Sequence, residues 1–128
     1  MDEEFLRDLF ASLPGLAIRR MFGGQGIYAD GRIVAVVIRG TLYLKSDPES
    51  EAVYAAAGLE RWTYQRPGRQ PVKMPYWRMP DDAFDDPDQA TRWIAVADDA
   101  ARRVALAEKP KAAAAPRRRK PRNAAPAG

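Results

Sequence analysis

Arg20–Asp47, RMFGGQGIYADGRIVAVVIRGTLYLKSD, contains the only long apolar run in the chain, Ile33-Val-Ala-Val-Val-Ile38. The run is too short to cross a membrane and too β-branched to prefer a helix. Asp30-Gly31 precedes it and Arg39-Gly40 follows it, each of the length and type that closes a tight hairpin. With Gly26–Ala29 on one side and Thr41–Lys45 on the other, the stretch reads as a three-strand antiparallel meander. Its middle strand is apolar on both faces, so it belongs inside a sheet with the rest of the chain packed around it.

Working outward, Leu16–Phe22 alternates well enough to form a strand before the meander, with Ile18, Arg20 and Phe22 on one face and Ala17, Arg19 and Met21 on the other. Between them, Phe22-Gly-Gly-Gln-Gly26 invites a phosphate-loop reading. A strand follows it, however, where a phosphate loop needs a helix N-terminus, and no third glycine completes a dinucleotide pattern. A hairpin or bulge that needs positive φ is the better reading. Upstream, Asp2-Glu3-Glu4 places acids at a helix start, and Phe5, Leu6, Leu9, Phe10 and Leu13 repeat at helical spacing up to Pro14-Gly15.

Downstream, Asp47-Pro48-Glu49 starts a second helix that Gly58 ends. Arg61–Arg66 alternates as a strand. Val72–Met79 returns as the last strand, and its Pro75 cannot donate to a ladder, so the strand is an edge or carries a bulge. The aromatics Trp62, Tyr64, Tyr76 and Trp77 beside Arg61, Arg66 and Arg78 resemble a platform for single-stranded nucleic acid, although cross-hairpin aromatic packing is the commoner use. Asp86-Pro87-Asp88 opens the longest helix, with Ala90, Trp93, Ile94, Ala97, Ala101 and Val104 as its apolar stripe. Asp98-Asp99 and Arg102-Arg103 read as solvated i,i+4 ion pairs on its outer faces.

The chain of 128 residues is of single-domain length and carries a formal charge of +4. That charge is unevenly placed. Residues 108–128 hold seven Lys or Arg and one acid, a net of +6, whereas residues 1–107 hold fourteen basic and sixteen acidic groups, a net of −2. No large apolar residue follows Leu106, so 1–107 is read as the folded domain and 108–128 as a disordered basic Ala/Pro-rich tail. Lys109, Lys111, Arg117, Arg118, Arg119, Lys120 and Arg122 are its candidate nucleic-acid contacts.

Cysteine and histidine are both absent. Thiolate nucleophiles, Cys or His metal sites and the usual neutral-pH acid–base group are therefore excluded together. No spaced constellation of Asp, Glu, Lys, Tyr or Ser stands out as catalytic. The expectation is a non-enzymatic protein with no cofactor and no metal. The acidic N-terminus and the lack of a long apolar segment point to a cytoplasmic protein with no membrane partner.

MFGGQGIYADGRIVAVVIRGTLYLKSD, AAGLERWTYQR, VKMPYWRMPDDAF and the closing helix through Trp93 together resemble the TfoX N-terminal domain family, the Sxy-type competence regulators. The resemblance covers about residues 5–105, nearly all of the part read as folded. It implies a two-layer α+β fold, an antiparallel sheet of five or six strands with helices packed on one face. It also implies a regulatory role in transcription of DNA-uptake genes, with no catalytic residues to carry over. The longer regulators continue into a second, helical domain, where this chain has its basic tail. Within the match, Arg19, Arg20, Met21, Phe22, Gly23 and Gly24 form the candidate interaction surface for a protein partner. The alternative is a protein-interaction module without nucleic-acid binding, a homodimer through the strand that contains Pro75.

Overall fold

The computed structural model describes residues 1–21 and 23–114. Six strands form one antiparallel sheet: β1 (Leu16–Met21), β2 (Gly24–Ala29), β3 (Arg32–Ile38), β4 (Thr41–Lys45), β5 (Arg61–Tyr64) and β6 (Val72–Arg78), in spatial order β1-β2-β3-β4-β6-β5. Helices α1 (Glu3–Leu9), α2 (Pro48–Ala56) and α3 (Pro87–Ala114) pack on one face, with a short 3₁₀ turn at Asp81–Phe84 before α3. This is the two-layer α+β architecture that the family resemblance implies, and it contains the antiparallel meander that the hairpin turns predict.

The meander forms where its turns require it. Asp30 and Gly31 have φ of 49° and 81°, and Arg39 and Gly40 have φ of 50° and 79°. Two successive left-handed residues make the primed two-residue turn that matches strand twist. In β3, Val34, Ala35, Val36 and Val37 are all buried, as a two-faced central strand demands. A register shift against β2 between Ile27 and Tyr28 leaves Val34 as an extra residue, so both Val34 and Ala35 enter the core beneath the helices.

The helices begin at the acids that mark them in the sequence. Asp2 accepts from the Phe5 amide at 3.0 Å. Asp47 and Ser50 form a reciprocal capping box, each accepting the other's backbone amide at 2.9 Å. Asp86 accepts from the Asp88 and Gln89 amides at 3.0 and 3.3 Å. Beneath the helices, Leu6 of α1 and Phe10 at its C-cap, Tyr54 of α2, and Ala90, Ile94, Ala97 and Ala101 of α3 cover Ile27, Ala29, Val37, Leu42, Leu44 and Trp77. The small alanines of α3 let its backbone lie close to the sheet. No helix among the described residues is long and apolar enough to cross a membrane.

Three expectations change. Of the two readings of the strand with Pro75, the bulge holds and the edge does not, because β6 lies between β4 and β5. The missing proline donor is absorbed by the irregular register between β5 and β6, where Trp62 alone lies between the paired Arg61 and Thr63 while Met74, Pro75 and Tyr76 lie between their partners Trp77 and Lys73. At Trp77 the strand is paired on both sides, with Leu44 of β4 and Arg61 of β5, and the sheet edges are β1 and β5. Asp98 is not a solvated surface acid but is 8 % exposed, paired with Arg102 at 3.0 Å, and Arg103 turns away to α2. Finally, α3 continues to Ala114, so the compositional change at 108 falls within a helix. Residues 115–128 lie outside the described residues, and with them the disorder expected there.

Candidate interaction surfaces

The turn from β1 to β2 shapes the first surface. Gly23 has φ of 74°, and a Cβ added to Gly24 would sit 1.9 Å from the Val37 carbonyl oxygen. Glycine is needed at the first position for the turn and at the second for close approach of two backbones. The chain thus bends tightly beside the β3–β4 turn, leaving a cleft of 540 Å³ lined by Arg20, Met21, Gly23, Gly24, Gln25, Val37, Gly40 and Met1. Gln25 holds the rim, its amide donating to the Met1 carbonyl at 2.9 Å and accepting from the Met1 amino group at 3.1 Å.

Four of the six residues singled out in the sequence therefore line one cleft: Arg20, Met21, Gly23 and Gly24. Arg19 does not join them. It stands on the same face of β1 as Met21 but one step further along, where its guanidinium lies 5.1 Å from the Tyr28 ring centroid. Phe22 lies outside the described residues.

The sheet face away from the helices is the second surface. Cross-strand register puts Ala17 and Tyr28, Val36 and Tyr43, and Lys45 and Tyr76 side by side on it. Tyr43 stacks on Trp62 with centroids 5.6 Å apart, and Trp62 meets Tyr76 at 6.2 Å. The Lys45 ammonium lies 5.0 Å from the Tyr76 ring centroid. Burial pushes the Tyr76 phenol above its ordinary pKa and the Lys45 ammonium below its own. Tyr64 closes the row at one end, half exposed. Val36, only 3 % exposed, is buried by this layer and not by the helices.

The face thus groups aromatic and basic side chains, but not the set read from the sequence. Trp77 is absent from it, since it faces α2 and stacks on Tyr54 at 5.8 Å. Arg61 also points to the helices, reaching Glu51 at 3.1 Å. Tyr28, Tyr43, Arg19 and Lys45 take their places. The missed signal was strand parity across β2, β3 and β4: Tyr28 and Tyr43 sit opposite the residues that face the helices. It becomes readable only once the register of each hairpin is known.

A charged cluster joins α2 to α3. Arg103 donates through Nε and Nη2 to the two carboxylate oxygens of Asp47 and reaches Glu49 at 3.3 Å. The Arg103 hydrogen bond holds the Asp47 carboxyl well below the ordinary aspartate range, helped by the Ser50 amide and hydroxyl and opposed by burial. Both partners already satisfy each other and a helix start, so the cluster's role is structural. Among the described residues, no group of three or more Asp or Glu could hold a metal. Of the tail residues, Lys109 and Lys111 fall on the backbone of the last turns of α3, while Arg117, Arg118, Arg119, Lys120 and Arg122 lie outside the described residues.

Chemically, these surfaces offer rings, guanidinium and ammonium groups for stacking and for anion contact. Comparison with curated proteins gives no match. Residues 8–101 match the TfoX N-terminal domain. That span runs from α1 to the Asp98-Asp99-Ala100-Ala101 turn of α3 and takes in the whole sheet, so the chain belongs to the TfoX N-terminal domain family.

Proposed function

We propose that the protein is a non-enzymatic, cytoplasmic regulator of the competence type, whose domain engages a protein partner at the Arg20–Gly24 cleft while its basic tail holds nucleic acid. Family membership supports the regulatory reading. The observation that carries the nucleic-acid part is the partition of charge, a net of +6 in residues 108–128 against −2 in residues 1–107. Lys and Arg side chains in such a density neutralise phosphates and release counterions. Contacts to phosphates position a protein on a duplex and do not read its bases.

The test is binding to a mixed-sequence DNA duplex across a salt series. If about five phosphates are neutralised, log affinity falls against log salt with a slope near −4 to −5. Replacing Arg117, Arg118, Arg119, Lys120 and Arg122 by Gln should abolish most of that binding. An unchanged slope in the Gln variant would move duplex binding onto the domain. Absence of binding by the intact chain near physiological salt would leave the protein-interaction module without nucleic acid as the surviving reading.

A further inference from the structure

The six strands contain seven Lys or Arg and not one Asp or Glu. The remainder of residues 1–107 holds seven basic and sixteen acidic groups, so a domain acidic in total has strands that are purely basic and carry half of its cations. Three of the seven cations, Arg19, Lys45 and Arg78, lie on the face away from the helices, by register with Gly26, Tyr76 and Tyr43. Arg78 is shared with Glu60 and Asp81 at 4.0 and 3.6 Å, whereas no ion pair within 4.0 Å engages Arg19 among the described residues. On the same face stand the stacked rings of Tyr43 and Trp62, with Tyr28 under Arg19 and Tyr64 half exposed.

We propose that this open sheet face is a second nucleic-acid site, distinct from the tail, that takes single-stranded DNA by stacking bases on Trp62, Tyr43 and Tyr64 while Arg19 and Lys45 hold the phosphates. Cations stand beside rings on this face, Arg19 over Tyr28 and Lys45 over Tyr76, as a strand with splayed bases requires. A duplex hides its base faces in its own stack and cannot use the rings. Between Tyr28 of β2 and Tyr43 of β4 this face carries Val36 of β3, with Ala17 and Met21 beyond Tyr28 on β1, and none of these is an Asn, Gln, Asp or Glu that would hydrogen-bond a 2′-hydroxyl. An unpaired hydroxyl against apolar side chains is unfavourable, so the deoxy strand is the fitting one.

The experiment uses the full-length chain with the five tail residues already replaced by Gln, so that tail binding and face binding are read separately. Fluorescein-labelled oligothymidylate of about 15 nucleotides is titrated by anisotropy, against oligouridylate and a duplex of the same length. The expected result is retained binding of oligothymidylate over both competitors. Arg19→Glu and Tyr64→Ala, both at exposed positions, should each weaken it about tenfold. Tryptophan quenching on binding should vanish in Trp62→Phe, since Trp77 and Trp93 lie on the helix side next to Tyr54. Loss of all oligonucleotide binding in the Gln background, or wild-type affinity in Arg19→Glu and Tyr64→Ala, overturns the site. Tighter binding of oligouridylate overturns the assignment to DNA. A dimer by light scattering that Tyr64→Ala dissociates, with no oligonucleotide binding, would make the face an interface between copies instead.

Discussion

At the residue scale, single side chains in this protein act through partners distant in sequence. Asp47 caps α2 through Ser50 and also receives Arg103 from α3, 56 residues on. Arg103→Ala removes a charge-assisted pair from a carboxylate that is 8 % exposed, while the arginine itself is partly solvated. The expected loss is about 1–3 kcal/mol, measured by urea unfolding at neutral pH. Because the folded-state carboxyl titrates below the unfolded one, the stabilisation is complete above the ordinary aspartate range and is withdrawn as pH falls from there through the depressed native value. Wild type and variant should therefore converge in strong acid; a gap that stays constant with pH would show that Arg103 acts by packing alone. A second residue-scale prediction concerns the glycine turn. Gly24→Ala drives a Cβ into the Val37 carbonyl and should cost about 3 kcal/mol, whereas Gly23→Ala meets open space and costs about 1 kcal/mol through its positive φ. Equal losses at the two positions would contradict the close approach of β2 to β3.

At the element scale, β3 is buried on both sides by different means. Val34, Ala35 and Val37 enter the core under the helices, while Val36 is covered by the aromatic layer of the opposite face. Val36→Asp leaves an unpaired carboxylate in that layer and should cost several kcal/mol of the roughly 5–15 available to a domain of this size. A cooperative thermal transition within a few degrees of wild type would show that the layer opens readily. Pro75 shows how an element accommodates a residue that breaks its rule. Ser46 donates to the Pro75 carbonyl at 2.9 Å, so β4 still pairs with β6 at that point although the proline offers no donor in return.

At the scale of the molecule, shortening the chain after Ala114 leaves every described contact in place and should shift the melting temperature by no more than about 1 °C while removing most duplex binding. A large drop would mean that residues 115–128 contact the domain. The helix starts at Asp2, Asp47 and Asp86, the two primed hairpins and the two-faced strand were legible in the chain because each is settled within a few residues, by caps, left-handed turn positions and β-branched runs. The family was legible for a related reason: its motifs are these same local devices in order. Strand order was not. Whether β6 closes the sheet or is itself covered by β5 depends on which of two hairpin strands reaches β4, a choice made by long-range packing of Trp77 on Tyr54 and of Met79 in the core. The same choice sent Trp77 and Arg61 to the helices and left Trp62 with Tyr43 on the open face. Side-chain period is two along a strand, so composition names the aromatics of a sheet, and only tertiary register decides which of them share a face.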